Sequence, residues 1–346
     1  MNICMVTNSR NGSIFSNNII KANAQLGNNT DIFELDYNQS VQKERERLLA
    51  VIENKSIDTV LFLNDFRFPD QTFLINETIS QQVDCRLWVW DAMHDINDLK
   101  NHIYLYSKIY SFEINDILRL KEYYSIEGEY LPLFAGPEFY ASPRTSEDKQ
   151  DIDIFFIGTI AGIQKRLEIL EAAAKLAYEK NYKMLVLGRI WHNHHWYQRI
   201  IGKWKFKHRY PYLSKYVENK VLVPKDVIEY YKRTKINLNI HIEGHTCYNC
   251  RTFEVVANNN FLLTDRQNVC DLKLEEGKHF DCYSNTRELV DKIQCYMNND
   301  DKRNHIANEG GQLIREEYNL VNALKIIFSR SIEATSIIFD EIDTGV

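Results

Sequence analysis

The sequence contains no apolar stretch long enough to cross a membrane and no excess of positive charge. A membrane span needs roughly 20 consecutive apolar residues, and no run in these 346 residues approaches that length. The formal net charge is -6, whereas general nucleic-acid binders carry a basic excess that neutralises phosphates. The opening residues, MNICMVTNSRNGS, show neither the basic flank nor the long apolar core of a signal peptide. We therefore expect a cytoplasmic protein that does not bind nucleic acid.

Several common functional signatures are also missing. The chain has no Walker loop, GxGxxG fingerprint, HExxH or GxSxG motif, which argues against the common ATPases, Rossmann dehydrogenases, zincins and α/β-hydrolases. Its seven cysteines are an odd number in a large chain, so we interpret them as reduced thiols rather than a disulfide framework. Cys247 and Cys250 supply only two ligands, and HNHH at 192–195 lies in a basic segment, so no metal site is predicted.

Short apolar runs recur along both halves of the chain, separated by polar or helical segments. In the first half they are residues 2–7, 31–36, 59–65, 86–91, 108–113 and 129–134. In the second half they are residues 151–158, 183–188, 220–224, 236–241, 261–265 and 279–283. Runs that are apolar throughout are typical of strands covered on both faces in a parallel sheet.

These runs predict an α/β fold of two Rossmann-like, doubly wound domains. We expect an N-terminal domain over 1–140, a C-terminal domain over 141–330 and a tail over 331–346, with an interdomain linker at 135–153. Open α/β sheets bind ligands beyond the carboxyl ends of their strands. Two facing domains of this class therefore predict one ligand site in the cleft between them.

One segment, residues 189–220, departs from this pattern. It holds eight Lys and Arg residues against one Glu, interleaved with Trp, Phe and Tyr. This combination suits an anionic partner, such as a nucleotide, an acidic glycan or a membrane surface. The alternative is an exposed basic insertion whose aromatic side chains anchor it to the core.

Two short stretches are candidates for nucleotide binding. In FFIGTIAGIQKR a strand ends at Gly158 and Arg166 follows near a helix start, a pattern that suits phosphate binding but equally a plain turn. In NCRTFEVVANNN a helix beginning near Asn249 places Arg251 and Glu254 on one face near its positive end. An ordinary i,i+3 ion pair explains these two charges equally well.

The run RTFEVVANNNFLLTD, preceded by KINLNIHIEGH and followed by GKHFDCYSNTRELVDKI, resembles the C-terminal domain of CgeB-like glycosyltransferases, a GT-B group. The resemblance extends from about residue 130 to 330. It implies a GT-B fold, with Glu254 binding the ribose hydroxyls of a nucleotide sugar. The other donor-site residues that it implies are Gly158, Thr159, Arg166, Gly188, Arg189, Val223, Pro224, Arg251, Thr252 and Phe253.

The chain departs from this pattern at one catalytic position. Retaining GT-B enzymes commonly carry a Glu eight positions before the ribose Glu, where this chain has Thr246. Retention or inversion is therefore open, and an inverting enzyme needs a base on the acceptor side. Asp91, followed by His94 and Asp95, comes at the end of a predicted strand and is our candidate base. Helix capping by Asp91 explains the same residue without catalysis.

The resemblance thus implies a glycosyltransferase that uses a nucleotide-diphosphate sugar, with a UDP-type donor favoured, and needs no cofactor or metal. Its acceptor would be a glycan, a protein or a lipid-linked sugar, and residues 189–220 would contact an anionic acceptor or place the enzyme peripherally on a membrane. The alternatives are another GT-B enzyme, such as an epimerase or phosphorylase, and a non-catalytic nucleotide- or sugar-binding module.

Overall fold

The fold is that of a computed structural model, which describes residues 1–8, 12–91, 93, 100–145, 149–190, 196–267 and 272–329. The first domain is built from six strands and the helices that connect them. Its strands are β1 (Asn2–Asn8), β2 (Asn29–Leu35), β3 (Thr59–Leu63), β4 (Asp84–Val89), β5 (Lys108–Ser111) and β6 (Glu129–Tyr130). Its helices are α1 (Gly12–Gln25), α2 (Val41–Asn54), α3 (Glu77–Gln82) and α4 (Ile114–Tyr124).

The second domain repeats this architecture. Its strands are β7 (Ile152–Ile157), β8 (Met184–Leu187), β9 (Val217–Glu218), β10 (Thr234–Asn239), β11 (Leu262–Asp265) and β12 (Asp281–Tyr283). The helices from this half of the chain are α5 (Gln164–Lys180), α6 (Trp196–Arg209), α7 (Pro224–Lys232), α8 (Cys250–Ala257), α9 (Thr286–Met297), α10 (Asp300–Glu317) and α11 (Leu320–Phe328).

Both sheets are parallel and doubly wound, so the predicted fold class is confirmed. The first sheet has the order β2-β1-β3-β4-β5-β6, and the second has the order β12-β11-β10-β7-β8-β9. Strand β3 shows the burial expected of such runs, because all five of its residues are buried. In the second sheet the strand order reverses between β7 and β10, and ligands of doubly wound sheets bind beyond the strand ends at such a point.

One strand prediction was wrong. Residues 220–224, KVLVP, form no strand; instead Val223 precedes α7, which begins at Pro224. Proline suits the first position of a helix, because its missing N–H would have no acceptor there. Val221 and Val223 are exposed, so this apolar run does not belong to the core.

The linker and the last helix tie the domains together. Phe139 in the linker is buried, and Asn258, Asn259 and Asn260 after α8 bind this connection through their side chains. Helix α11 packs in the core of the first domain, although the sequence prediction counted residues up to 330 with the second domain. Its apolar face is buried there against α1. The predicted tail, 331–346, lies outside the described residues.

Gly310 in α10 provides a test of how closely this helix packs. A methyl group at Gly310 would overlap the carbonyl oxygen of His279 and lie 2.7 Å from Cγ1 of Val256. We expect Gly310→Ala to lower the free energy of unfolding by about 1–3 kcal/mol in urea denaturation. Alanine is the better helix former by about 1 kcal/mol, so a more stable variant would contradict this packing. Gln312→Ala, on the exposed face of α10, is the control.

Candidate active site

A cavity of about 280 Å³ lies beyond the strand ends of the second sheet, near the point where its strand order reverses between β7 and β10. Its wall combines the ends of β7 and β8, the start of α7 and one face of α8. The residues that line it are Phe139, Ile157, Gly158, Thr159, Gly188, Arg189, Val221, Leu222, Val227, Arg251 and Glu254. Two arginines and one carboxylate therefore face a mainly apolar pocket, the usual composition of a small-molecule site.

Two glycines allow the loops after β7 and β8 to approach each other. Gly188 has φ +142, and a Cβ there would overlap the carbonyl oxygen of Gly158. The loops are joined further along by a hydrogen bond from the Ile160 amide to the Arg189 carbonyl, 2.9 Å long. A side chain at Gly188 would displace the Gly158 loop, whereas a Cβ at Gly158 would lie 3.1 Å from the Phe156 ring. The floor of the cavity is therefore bare backbone that a ligand can approach closely.

The amino end of α8 opens towards this cavity. Asn249 precedes the helix, as predicted, but its side chain forms no capping bond to the first turn. It pairs with Asn239 instead, accepting from that amide at 3.0 Å. The first amides of a helix have no intrahelical acceptor, and together with the helix dipole they favour an anion.

Arg251 and Glu254 project from α8 into the cavity without pairing with each other. The Nη1 atom of Arg251 donates to the carbonyl oxygen of Ile157. Glu254 accepts a hydrogen bond of 3.5 Å from the hydroxyl of Tyr231. No Arg251–Glu254 salt bridge occurs among the ion pairs of the described residues, so the simple ion-pair interpretation does not account for them.

The two charges still influence each other. Desolvation raises the pKa of the Glu254 carboxyl, and the nearby Arg251 guanidinium opposes this rise. The net effect leaves the pKa of Glu254 above its ordinary value. A carboxylate with this environment gains from a ligand that supplies hydroxyl donors.

Arg166 supports the site from behind instead of lining it. Its Nε donates to the Ile240 carbonyl at 2.8 Å and its Nη1 to the Thr159 carbonyl at 2.7 Å. Burial, followed by the positive charge of Arg251, lowers the pKa of Arg166 to about 10. Arg166 therefore joins the loops that follow β7 and β10, which are the two strands at the change of direction.

The first domain brings carboxylates towards α8. Asp91, just after β4, is exposed. Its charge contributes to the raised pKa of the Cys250 thiol at the start of α8, after desolvation and the charge of Glu254. Asp91 is thus near the amino end of α8, whereas the other two candidate bases, His94 and Asp95, lie outside the described residues.

A second carboxylate of the first domain contacts the segment before α8. Glu113 is buried and accepts hydrogen bonds from the amide and hydroxyl of Thr246. His245 also lies against it, with Nδ1 3.4 Å from Oε2. The position at which the family pattern commonly has a glutamate is therefore occupied by a threonine that binds a glutamate from the other domain. Sequence reasoning missed Glu113 because no local pattern links it to Thr246.

The structure brings together most of the predicted donor-site residues. Gly158, Thr159, Gly188, Arg189, Arg251 and Glu254 all line the cavity. Thr252 and Phe253 are buried beneath it. Val223 is exposed and Pro224 begins α7 beside it. The lining residues that sequence reasoning missed are Phe139, Ile157, Val221, Leu222 and Val227. Val221 and Leu222 belong to the VLVP run that was taken for a strand, and Val227 follows it in α7.

Two further searches concern metals and membranes. Across the described ranges, no group of three or more His, Cys, Asp and Glu side chains is placed to hold a metal ion. Likewise, no helix in that part of the chain has the length and hydropathy to cross a membrane.

Comparisons with known proteins agree with this architecture. Residues 165–329, just under half of the chain, match the glycosyl transferase-like family. A glycosyltransferase from Rickettsia africae is 14% identical with a TM-score of 0.68, the match covering 94% of this chain and 96% of that one. No curated protein matches the chain in sequence.

Two more solved structures share the fold over nearly their whole length. HepE from Anabaena, solved in complex with UDP-glucose, is 9% identical with a TM-score of 0.63, and the match covers 94% of this chain and 98% of that one. The sucrose-phosphate synthase from Thermosynechococcus elongatus is 10% identical with a TM-score of 0.64, covering 94% and 97%. The chain thus has the GT-B fold and matches the glycosyl transferase-like family over residues 165–329.

Proposed function

We propose that this chain is a glycosyltransferase that moves a sugar from a nucleotide-diphosphate sugar to an acceptor hydroxyl. The observation that carries the proposal is the convergence of Arg251, Glu254 and the bare glycine loops on one cavity at the change of strand order. This is the place where doubly wound sheets bind ligands. The family match of residues 165–329 supports the same reaction class.

The donor's nucleotide would occupy the cavity in a defined orientation. Glu254 accepts hydrogen bonds from the ribose hydroxyls, which stabilises its ionised form. The diphosphate lies at the amino end of α8, next to Arg251 and Arg189, where the helix dipole and two positive charges neutralise it. The nucleobase of the donor contacts the apolar wall formed by Val221, Leu222 and Val227.

The transfer itself replaces one bond to the sugar with another. The acceptor oxygen bonds to the anomeric carbon, and the bond from that carbon to the diphosphate oxygen breaks. The acceptor proton passes to a base, for which Asp91 is the candidate on the first domain. The leaving diphosphate gains negative charge, which the Arg251 guanidinium and the α8 amides stabilise.

The donor, the subtype and the competing activity follow from separate observations. A UDP-type donor is favoured, since HepE from Anabaena was solved with UDP and with UDP-glucose. The CgeB-like subtype and a cytoplasmic location remain predictions from the sequence. An epimerase is the competing GT-B activity, because a protein described as a UDP-N-acetylglucosamine 2-epimerase from Listeria monocytogenes has this fold with a TM-score of 0.53. An epimerase would convert the donor without any acceptor.

Glu254 provides the most direct test of the donor site. We expect Glu254→Ala to weaken UDP binding at least about tenfold in calorimetry, because the ribose hydroxyls lose their acceptor. Glu254→Gln should also bind weakly, yet be at least as stable as the unliganded wild type, since it removes a desolvated charge. The control is Glu229→Ala on the exposed side of α7. Unchanged UDP affinity in both Glu254 variants would contradict the assignment.

The raised pKa of Glu254 also predicts how binding depends on pH. The ionised carboxylate is the form that accepts two hydroxyl donors, and this form is lost as the pH falls through the raised pKa. UDP affinity of the wild type should therefore decrease towards acidic pH beyond the change seen in Glu254→Gln. Identical pH profiles of the two proteins, measured by calorimetry, would argue against a role for this ionisation.

Asp91 tests the assignment of the base. We expect Asp91→Asn to lower kcat for transfer by about 100-fold or more, with UDP affinity unchanged because Asp91 is not part of the donor cavity. The exposed Asp58→Asn, at the opposite end of the first sheet, serves as control. A fully active Asp91→Asn enzyme would remove Asp91 from the mechanism.

A further inference from the structure

Helix α6, Trp196–Arg209, presents an exposed apolar face that the donor site does not use. Ile200 is 58% exposed, Ile201 49% and Trp204 67%. Positions 200, 201 and 204 lie on one side of a helix, since residues three and four apart are neighbours on its surface. His208, one turn further, stacks on Trp204 with ring centroids 5.9 Å apart and extends the same stripe.

Basic residues border this stripe on both sides. Lys203 and Lys207 flank one edge and Lys205 and Arg209 the other, and all four are exposed. Phe206, on the opposite side of the helix, is half-buried and packs against the core of the second domain. The apolar face of α6 therefore points away from the domain, between two rows of positive charge.

We propose that α6 docks the protein on the surface of an anionic lipid bilayer. A helix that lies in the interface buries its apolar residues at the acyl boundary while lysines along its sides reach anionic headgroups. Both properties of α6 match this partner: the isoleucines and Trp204 need an apolar environment, and the lysines need negative charge. At 14 residues the helix is too short to span the membrane.

Other partners fit these features less well. A polyanion such as an acidic glycan would pair with the lysines but leave Ile200 and Ile201 in water. A second copy of the chain, packed face to face, would bring the two rows of positive charge together, and like charges at an interface are costly. The face is also a convex helix surface, not a groove that could hold a peptide.

The position of α6 relates docking to the active site. Tyr210, directly after the helix, donates from its hydroxyl to Gln164 at 3.2 Å, and Arg209 contacts the same amide. Gln164 begins α5, just after the loop of Gly158 and Thr159 that lines the cavity. Docking through α6 thus brings the cavity close to the bilayer. If the proposed glycosyltransferase function holds, on which this step rests, the acceptor is lipid-linked.

The experiment is vesicle co-sedimentation with the full chain, comparing phosphatidylcholine alone with an equal mixture of phosphatidylcholine and phosphatidylglycerol. We expect binding to the mixed vesicles only. Replacing Ile200, Ile201 and Trp204 by Ala should weaken it at least about tenfold. Lys205→Gln with Lys207→Gln removes two of the four basic residues and should reduce its salt dependence by about half. Leu118→Ala with Tyr123→Ala, exposed apolar residues of α4 in the first domain, should bind as the wild type does.

Three outcomes would overturn the proposal. The first is no binding to mixed vesicles, or equal binding by the triple alanine variant. The second is binding to soluble heparin that the triple variant retains and that competes fully with vesicles, which would indicate a polyanion site. The third is a dimer in analytical ultracentrifugation that the triple variant loses. UDP binding, measured in the same variants, should be unchanged, so failure of docking and failure of the proposed function are distinguishable.

Discussion

The cavity of the second domain depends on the buried carboxylate of Asp265, which fixes the amino end of α8 through His241. One oxygen accepts from the amide and from Nδ1 of His241, at 2.9 and 2.7 Å, and the other pairs with Lys165 at 2.6 Å. Burial alone would raise the pKa of Asp265, but these contacts, above all the hydrogen bond from His241, hold it well below its ordinary value. Asp265 therefore stays ionised in a buried position.

His241 links Asp265 to α8. Burial lowers the pKa of His241, and because Nε2 accepts from the Asn249 amide, the ring proton that faces Asp265 is on Nδ1. The free Nε2 then accepts from the Asn249 amide at 3.2 Å. Asn249 immediately precedes α8, and its own side chain is bonded to Asn239. The start of the helix is thus held by polar contacts, and the Thr252 amide donates to the Asn249 carbonyl at 3.0 Å.

The same helix also connects the two domains. Before α8, Thr246 binds the buried Glu113 of the first domain. After α8, Asn259 adopts φ 51 and its side chain donates to the linker carbonyl of Ala141 at 2.6 Å. Asparagine tolerates this left-handed conformation better than most residues. Arg251 and Glu254 therefore lie on an element that is fixed at both ends, and each side chain has a different partner, the Ile157 carbonyl for Arg251 and the Tyr231 hydroxyl for Glu254.

Positive charge is concentrated at two places in an otherwise acidic chain. It is acidic overall at -6, yet the exposed face of α6 is basic and apolar and the cavity is lined by two arginines. Two surfaces of the second domain therefore favour negative groups, one enclosed and one open. The enclosed surface suits a diphosphate, because its donors are preorganised. The open surface suits a bilayer, because its apolar stripe has no covering element in the described structure.

The sequence by itself determined the two parallel sheets, the start of α8 and six of the residues that line the cavity. The sheets and the helix start follow from local rules, because buried strands are apolar throughout and Asn249 suits a helix start. Of the six cavity residues, the local pattern indicated Gly158, Arg251 and Glu254, whereas the family resemblance alone implied Thr159, Gly188 and Arg189. The sequence failed at residues 220–224, because it predicted a strand where the apolar run instead lines the cavity. Only the tertiary structure decided the contact of Glu113 with Thr246, the packing of α11 on the first domain and the role of Arg166 behind the site. These depend on groups that are distant in sequence, and no local periodicity encodes which of them meet.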